Sequence, residues 1–316
     1  MTPSLPPERR VELAGRGTVG VRELPGPPGA PTLVLLHGWT VTADLNWFRC
    51  YSELGRTYRV LAFDHRGHGR GLRPAVRFRM TDCANDVAAV VEALGIDRFI
   101  AVGYSMGGCV AQLLARDHPH LLAGMVLCAT SRSFRGSGWE RARFSLLPPL
   151  ADLAKVTPLR LRDAVYNRVL ESQISGDGLT EWARDEIRSC DPQFLLDAGA
   201  ELYRFDSSSW APSLRLPAAV VVTERDGRVP PERQRALAAS LPDTSVHRSD
   251  GNHTVCVGAP QRFLPPLLDA VSSVLARSVG TSLGDSRRPA AGADVGNNSS
   301  GPAPSTPPAT TPRARR

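Results

Sequence analysis

The stretch Phe99-Ile-Ala-Val-Gly103-Tyr-Ser105-Met-Gly107-Gly108 decides the fold. Phe99–Val102 is a continuous apolar run that reads as a strand, and Ser105–Arg116 carries a helical pattern. Between them stands G-x-S-x-G. A strand that turns this sharply into a helix projects the serine from the bend. Residues 103 and 107 must then be small, because backbone and side chains approach too closely for a Cβ. The helix start behind the serine adds oriented N–H groups and the positive end of a dipole. The same letters also fit a Gly-rich turn with an ordinary N-capping serine, so the flanking sequence has to separate the two readings.

Outward from this bend, short apolar runs alternate with amphipathic stretches. Thr32–Leu36, Arg59–Phe63, Phe99–Val102, Met125–Cys128, Ala218–Thr223 and Thr244–Arg248 read as strands. The first five are nearly continuous apolar runs, as expected of strands buried on both faces of a parallel sheet. Thr81–Leu94 (stopped by Gly95), Ser105–Arg116, Pro231–Ser240 and Gln261–Arg277 read as helices. Strand–helix alternation implies an α/β fold with a mostly parallel, doubly wound sheet. Val11–Ala14 and Thr18–Glu23 read as an antiparallel hairpin at its start. Residues 131–210 break the alternation, with helical patterns around Trp139, Val165 and Trp182 and no clear strand. This interval is too long for an ordinary loop and reads as an inserted helical cap roofing the carboxyl ends of the strands, where such sheets bind ligands. The expected organisation is a core of residues 1–130 and 211–279, a cap of 131–210, and a disordered tail of 280–316. That tail is rich in Pro, Gly, Ser, Ala and Thr and has too little apolar surface to offset its ordering entropy.

A serine hydroxyl at neutral pH needs a base. Of seven histidines, His253 follows the last strand and precedes the last helix. His118 and His120 lie where the helix from Ser105 ends, on the far side of the sheet, and His247 falls within a strand. His37, His65 and His68 follow earlier strands. His253 is therefore the expected base. Asp226, in Thr223-Glu-Arg-Asp-Gly227, stands just past the strand ending at Val222 and is the expected orienting carboxylate; its Asp-Gly pair places it on a bend. Glu224 is the rival. Asp250 reads as a turn or capping residue. The chain order is thus Ser105, Asp226, His253.

With that order, the chain resembles the α/β-hydrolase superfamily over nearly all of residues 10–280. Leu36-His-Gly-Trp39 resembles the family's His-Gly loop, Asp64-His-Arg-Gly-His-Gly69 the turn after the next strand, and Phe99–Gly108 the nucleophile elbow. The resemblance implies an oxyanion hole made by the backbone N–H groups of Trp39 and Met106. Relatives with Asp as nucleophile, haloalkane dehalogenases and epoxide hydrolases, are disfavoured by Ser105. Serine suits acyl transfer. The expectation is a cofactor-free, metal-free serine hydrolase that cleaves a carboxylic ester, a lipophilic one, through an acyl-enzyme. Enol-lactonases, C–C bond hydrolases and cofactor-free haloperoxidases carry similar segments, and a ligand-binding member with vestigial catalysis is a further alternative. Trp39 reads equally as substrate wall or packing. Trp139, Phe144, Leu146, Leu147, Trp182 and Phe194 of the cap read as ordinary core.

Composition narrows the classes further. The chain has 316 residues, 42% of them hydrophobic, and a net charge of +7. No run reaches the roughly 18–20 apolar residues of a membrane span. The polar start has no stretch of signal-peptide type, so a cytoplasmic location is expected. Six scattered cysteines without C-x-x-C spacing argue against a zinc site or a disulfide scaffold and read as buried free thiols. Among the 38 cationic residues the one lysine is Lys155, which fits a coding bias better than a phosphate-binding patch. Residues 281–316 hold five Arg and two Asp, and residues 64–79 five Arg and one Asp; these stretches account for the whole net charge. Arg66, Arg70, Arg73, Arg77 and Arg79 read as a solvated basic loop, with attraction of an anionic substrate or membrane surface as the alternative. Nucleic acid is not an expected partner.

Overall fold

The computed structural model describes residues 2–135 and 180–284, together with Pro149 and Leu153. Eight strands form one sheet: β1 (Glu8–Leu13), β2 (Gly17–Leu24), β3 (Thr32–Leu36), β4 (Arg59–Phe63), β5 (Phe99–Tyr104), β6 (Leu122–Cys128), β7 (Ala218–Thr223) and β8 (Thr244–Ser249). Their order is β1-β2-β4-β3-β5-β6-β7-β8. The β1–β2 hairpin runs antiparallel, β2 pairs antiparallel with β4, and every later pairing is parallel.

The apolar runs become strands because both faces of the sheet are covered. Val34 and Leu36 point into one core while Leu33 and Leu35 point into the other. On β7, Val220 and Val222 share the first core, and Ala219 and Val221 the second. This is the period of two that sends successive side chains to opposite faces. One layer contains α3 (Met80–Ala93), α4 (Met106–Asp117) and α7 (Pro231–Ser240); the other contains α1 (Ala43–Trp47), α2 (Tyr51–Gly55), α8 (Val255–Gly258) and α9 (Pro260–Gly284). Between β6 and β7 lie α5 (Thr180–Arg188) and α6 (Pro192–Arg204). Among the described residues this interval has no strand, only an isolated bridge between Ser133 and Asp206. The patterns around Trp139 and Val165, with Phe144, Leu146 and Leu147, lie outside the described residues, as does the expected tail beyond 284; residues 280–284, expected to begin that tail, instead continue α9, which runs through Gly284.

The short helices α1, α2 and α8 have no counterpart in the sequence reading. All five residues of α1 are buried, so it has no exposed face and no amphipathic period to detect.

The expectation of a solvated basic loop after β4 holds for Arg73, Arg77 and Arg79, which are exposed, and is corrected for Arg66 and Arg70, which turn inward. Arg66 is buried and grips Asp86 with two hydrogen bonds of 2.8 Å, adding Asp82 at 2.8 Å. Arg70 binds the buried Asp44 at 2.6 Å and approaches Asp64 and Glu186 at 3.5 and 3.6 Å. Arg73 donates to the carbonyls of His68, Gly69 and Ser189, and Arg77 lies 3.5 Å from Asp197. Burying a cation is costly unless it is paired and hydrogen-bonded. Apart from Asp64, the carboxylates that pair with Arg66 and Arg70 come from β1, α1, α3 and α5, outside residues 64–79. Through Glu186, Ser189 and Asp197, Arg70, Arg73 and Arg77 tie α5 and α6 to the core.

Candidate active site

Ser105 sits between β5 and α4 with φ 53° and ψ −114°, a region L-residues rarely occupy and one typical of strained functional bends. The bend is held by its neighbours. Ser105 N–H donates to the Cys128 carbonyl at 2.9 Å, and the Thr130 hydroxyl donates to the Ser105 carbonyl at 2.8 Å. Its glycines have no alternative. A Cβ on Gly103 would stand 2.3 Å from the Gly107 carbonyl oxygen, and one on Gly107 would stand 2.2 Å from that of Leu36.

The last two strands bring up the other two side chains. His253 lies 2.7 Å through Nδ1 from Asp226 Oδ2 and 3.1 Å through Nε2 from Ser105 Oγ. Asp226 is fully enclosed. Its Oδ2 also accepts from the Thr223 hydroxyl at 2.8 Å, and its Oδ1 accepts from the N–H groups of Arg228 and Val229 at 2.8 and 2.9 Å. Burial pushes this carboxyl up, but the hydrogen bonds from His253, Val229 and Thr223 and the charge of a protonated His253 outweigh it and hold the group below the ordinary carboxylate range. With Asp226 ionised and accepting only, Nδ1 carries the histidine proton and Nε2 is left to accept from Ser105. Glu224 points elsewhere, pairing with Arg235 and, at 2.7 Å, with Arg248. Asp250 pairs with Arg225 and Arg262 at the surface.

The remaining histidines are elsewhere or enclosed. His118 caps α4 and faces Asn85 at 2.8 Å, and His247 bonds Ser245 on β8. His37, His65 and His68 form a buried cluster beneath the loop after β3, with ring centroids 4.4 Å apart for His37–His65 and 5.0 Å for His37–His68. Burial pushes His37 down to about 4 and His68 to about 3, and drives His65 well below the ordinary imidazole value. These three are neutral at pH 7.

Trp39 follows β3, the strand beside β5, and its half-buried indole N–H donates to the Leu195 carbonyl of α6 at 2.8 Å. It joins the loop over Ser105 to the helix above it. Met106 opens α4, where backbone N–H groups lack intrahelical partners. Of the aromatics between β6 and β7 in the described residues, Trp182 packs edge-on to Phe48 and Phe194 edge-on to Phe78. Sequence reasoning missed Tyr104 and Asn46. Tyr104 donates its hydroxyl to the His253 carbonyl at 2.9 Å, and Asn46 contacts the loop after β3. Neither carries a local signal, because both act across the fold. All six cysteines are free and buried. Among the described residues no His, Cys, Asp and Glu group is arranged to hold a metal ion, and no helix is long and apolar enough to cross a membrane.

A family model for the alpha/beta hydrolase fold matches residues 31–171. RutD of Agrobacterium fabrum, provisionally named a carbamate hydrolase, is 28% identical over 245 residues, covering 76% of this chain and 92% of its own length. The pimeloyl-[acyl-carrier protein] methyl ester esterase of Chromobacterium violaceum is 28% identical over 243 residues, covering 76% and 93%. Among solved structures, the enol-lactonase of Burkholderia xenovorans superposes with a TM-score of 0.69 at 23% identity, covering 84% of this chain and all of that one. The sheet order, the strand–serine–helix bend and these likenesses agree: the chain has the α/β-hydrolase fold.

Proposed function

We propose that the chain is a hydrolase that cleaves carboxylic esters, lipophilic ones, through an acyl-enzyme on Ser105. The observation that carries the reading is the continuous path Asp226–His253–Ser105, two hydrogen bonds of 2.7 and 3.1 Å at the carboxyl edge of the sheet. His253 Nε2 takes the Ser105 proton as Oγ attacks the acyl carbon, and Asp226 stabilises the imidazolium and keeps its tautomer. The N–H groups of Trp39 and Met106 receive the oxyanion. The imidazolium then protonates the departing alcohol. In deacylation His253 removes a proton from water, the hydroxide attacks the acyl carbon, and the proton returns to Ser105 Oγ. No step calls for a metal or cofactor. In this reading residues 131–210 are the cap over the site, and Trp39, apolar and joined to that cap, lines the substrate side.

A relative named a methyl ester esterase supports an ester, and one provisionally named a carbamate hydrolase shares the same carbonyl–oxygen chemistry. The test is a short-chain aryl ester assay of Ser105→Ala. The reading expects turnover to fall by about 10³-fold or more, the scale set by loss of a triad member; near-wild-type turnover overturns it. A panel of esters, lactones and ring-cleavage diketones checks the bond type: a lactone or diketone turned over much faster than any ester replaces the ester assignment.

A further inference from the structure

The loop that carries Trp39 is held at the residue before it, Gly38, from both sides. The Gly38 N–H donates to Asn46 Oδ1 at 3.0 Å. The Gly38 carbonyl faces His37 Nδ1 at 2.7 Å, while His37 Nε2 accepts the His65 N–H at 2.8 Å. An imidazole that accepts at Nε2 and is neutral bears its proton on Nδ1, so His37 donates to Gly38. The Gly38 carbonyl and the Trp39 N–H share one planar trans peptide and point in opposite directions. Fixing the carbonyl therefore aims the N–H, and fixing the Gly38 N–H sets the peptide before it. Asn46 is buried on α1, and its Nδ2 lies 3.7 Å from Cys256 Sγ, three residues past His253. One side chain thus touches the backbone of the loop after β3 and the segment that follows His253.

We infer that Asn46 is a positioning residue that sets the oxyanion loop against the histidine segment, so that the Trp39 N–H meets the oxyanion as it forms on Ser105 attack. The inference rests on the reading of Ser105 as nucleophile and Trp39 as donor. Asn46 touches no reacting atom; it acts through Gly38.

The test uses the full chain with Asn46→Leu, similar in volume but unable to bond, and Asn46→Ala. A p-nitrophenyl ester gives kcat and KM, and an alkyl trifluoromethyl ketone, which adds to serine as an anionic hemiketal, reports oxyanion binding. A misaimed donor costs less than a deleted one, which is worth about 10²–10³-fold, so kcat is expected to fall about 10- to 100-fold with KM little changed. The ketone Ki is expected to rise by the factor that kcat falls. Unchanged kcat and Ki, even with lowered thermal stability, mean that Asn46 only satisfies a buried N–H, and overturn the inference. If neither variant folds, amide exchange in the wild type decides. Gly38 N–H should be protected in the free enzyme and Trp39 N–H only in the ketone adduct; free exchange at Gly38 overturns the inference. Ser105→Ala is assayed alongside. An active Ser105→Ala removes the underlying reading, whereas an inactive Ser105→Ala with a fully active Asn46→Leu removes only the positioning role.

Discussion

The Tyr104 hydroxyl donates to the backbone carbonyl of His253 at 2.9 Å, and the two rings stand edge to face with centroids 5.9 Å apart. The residue just before the serine thereby braces the loop that carries the histidine. Tyr104 is itself buried edge-on against Trp47 and Phe263, so the brace is anchored in the core. Tyr104→Phe keeps the rings and removes the bond. Such a bond is worth about 1 kcal/mol, so kcat is expected to fall about 3- to 10-fold with the fold retained. A steady-state assay with a thermal melt checks it; unchanged kcat would show that the bond does not orient His253.

Asp226 and Glu224 stand two residues apart in sequence, but only Asp226 meets His253. Asp226→Asn would let the side chain donate to Nδ1 and favour the wrong tautomer. A change of this kind in a serine triad costs about 10⁴-fold in kcat, and a loss of that order is expected here. Glu224→Gln, which alters only contacts to Arg235 and Arg248, should leave kcat essentially unchanged. Equal losses in the two variants would contradict the assignment.

The buried histidines set an acid limit on stability. His37 and His68 are depressed in the fold to about 4 and about 3, below the ordinary value of 6.5. In the window from about pH 6.5 down to 4 the unfolded chain binds protons that the folded chain refuses, so stability falls as pH falls. For His37 alone the full effect is on the order of 3 kcal/mol. Lowered Asp226 acts in the same direction at lower pH. Urea unfolding followed between pH 7 and 4.5 should show a steady loss; a flat profile would mean these side chains are not enclosed as described.

Arg66 neutralises Asp86 inside the protein, and the more exposed Arg16 touches the same carboxylate at 3.0 Å. Arg66→Met would leave Asp86 largely uncompensated. Breaking a buried pair by removing one partner costs about 3–5 kcal/mol, which calorimetry should register as a large fall in Tm. If Arg66 were a solvated cation, the Tm would hardly move.

These residues also mark what the sequence discloses. Val34, Ala101 and Val220 announce their strands because a strand covered on both faces must be apolar throughout. Ser105 and His253 are legible because each stands where one element meets the next, and such junctions are visible in local spacing. Asp226 was separable from Glu224 only through its Asp-Gly bend, while its hold on the Arg228 and Val229 N–H groups belongs to the folded loop. The arginine network, Tyr104 and Asn46 are different. Their partners, Asp44 or Asp86, His253, and Gly38 with Cys256, come together only after the sheet has formed. Five arginines in sixteen residues thus read as one water-facing loop although Arg66 and Arg70 turn inward, and a fully buried five-residue helix leaves no pattern at all.

The central claim is that Ser105 is a nucleophile activated by His253. Labelling of the folded protein with a fluorophosphonate, followed by intact-mass and peptide mass spectrometry, tests it most directly. The account predicts one adduct per chain, located on Ser105, absent from Ser105→Ala and slowed by about 10³-fold or more in His253→Ala, the scale expected when a triad base is lost. Labelling that persists in Ser105→Ala, or a wild-type protein that takes up no label, would contradict it.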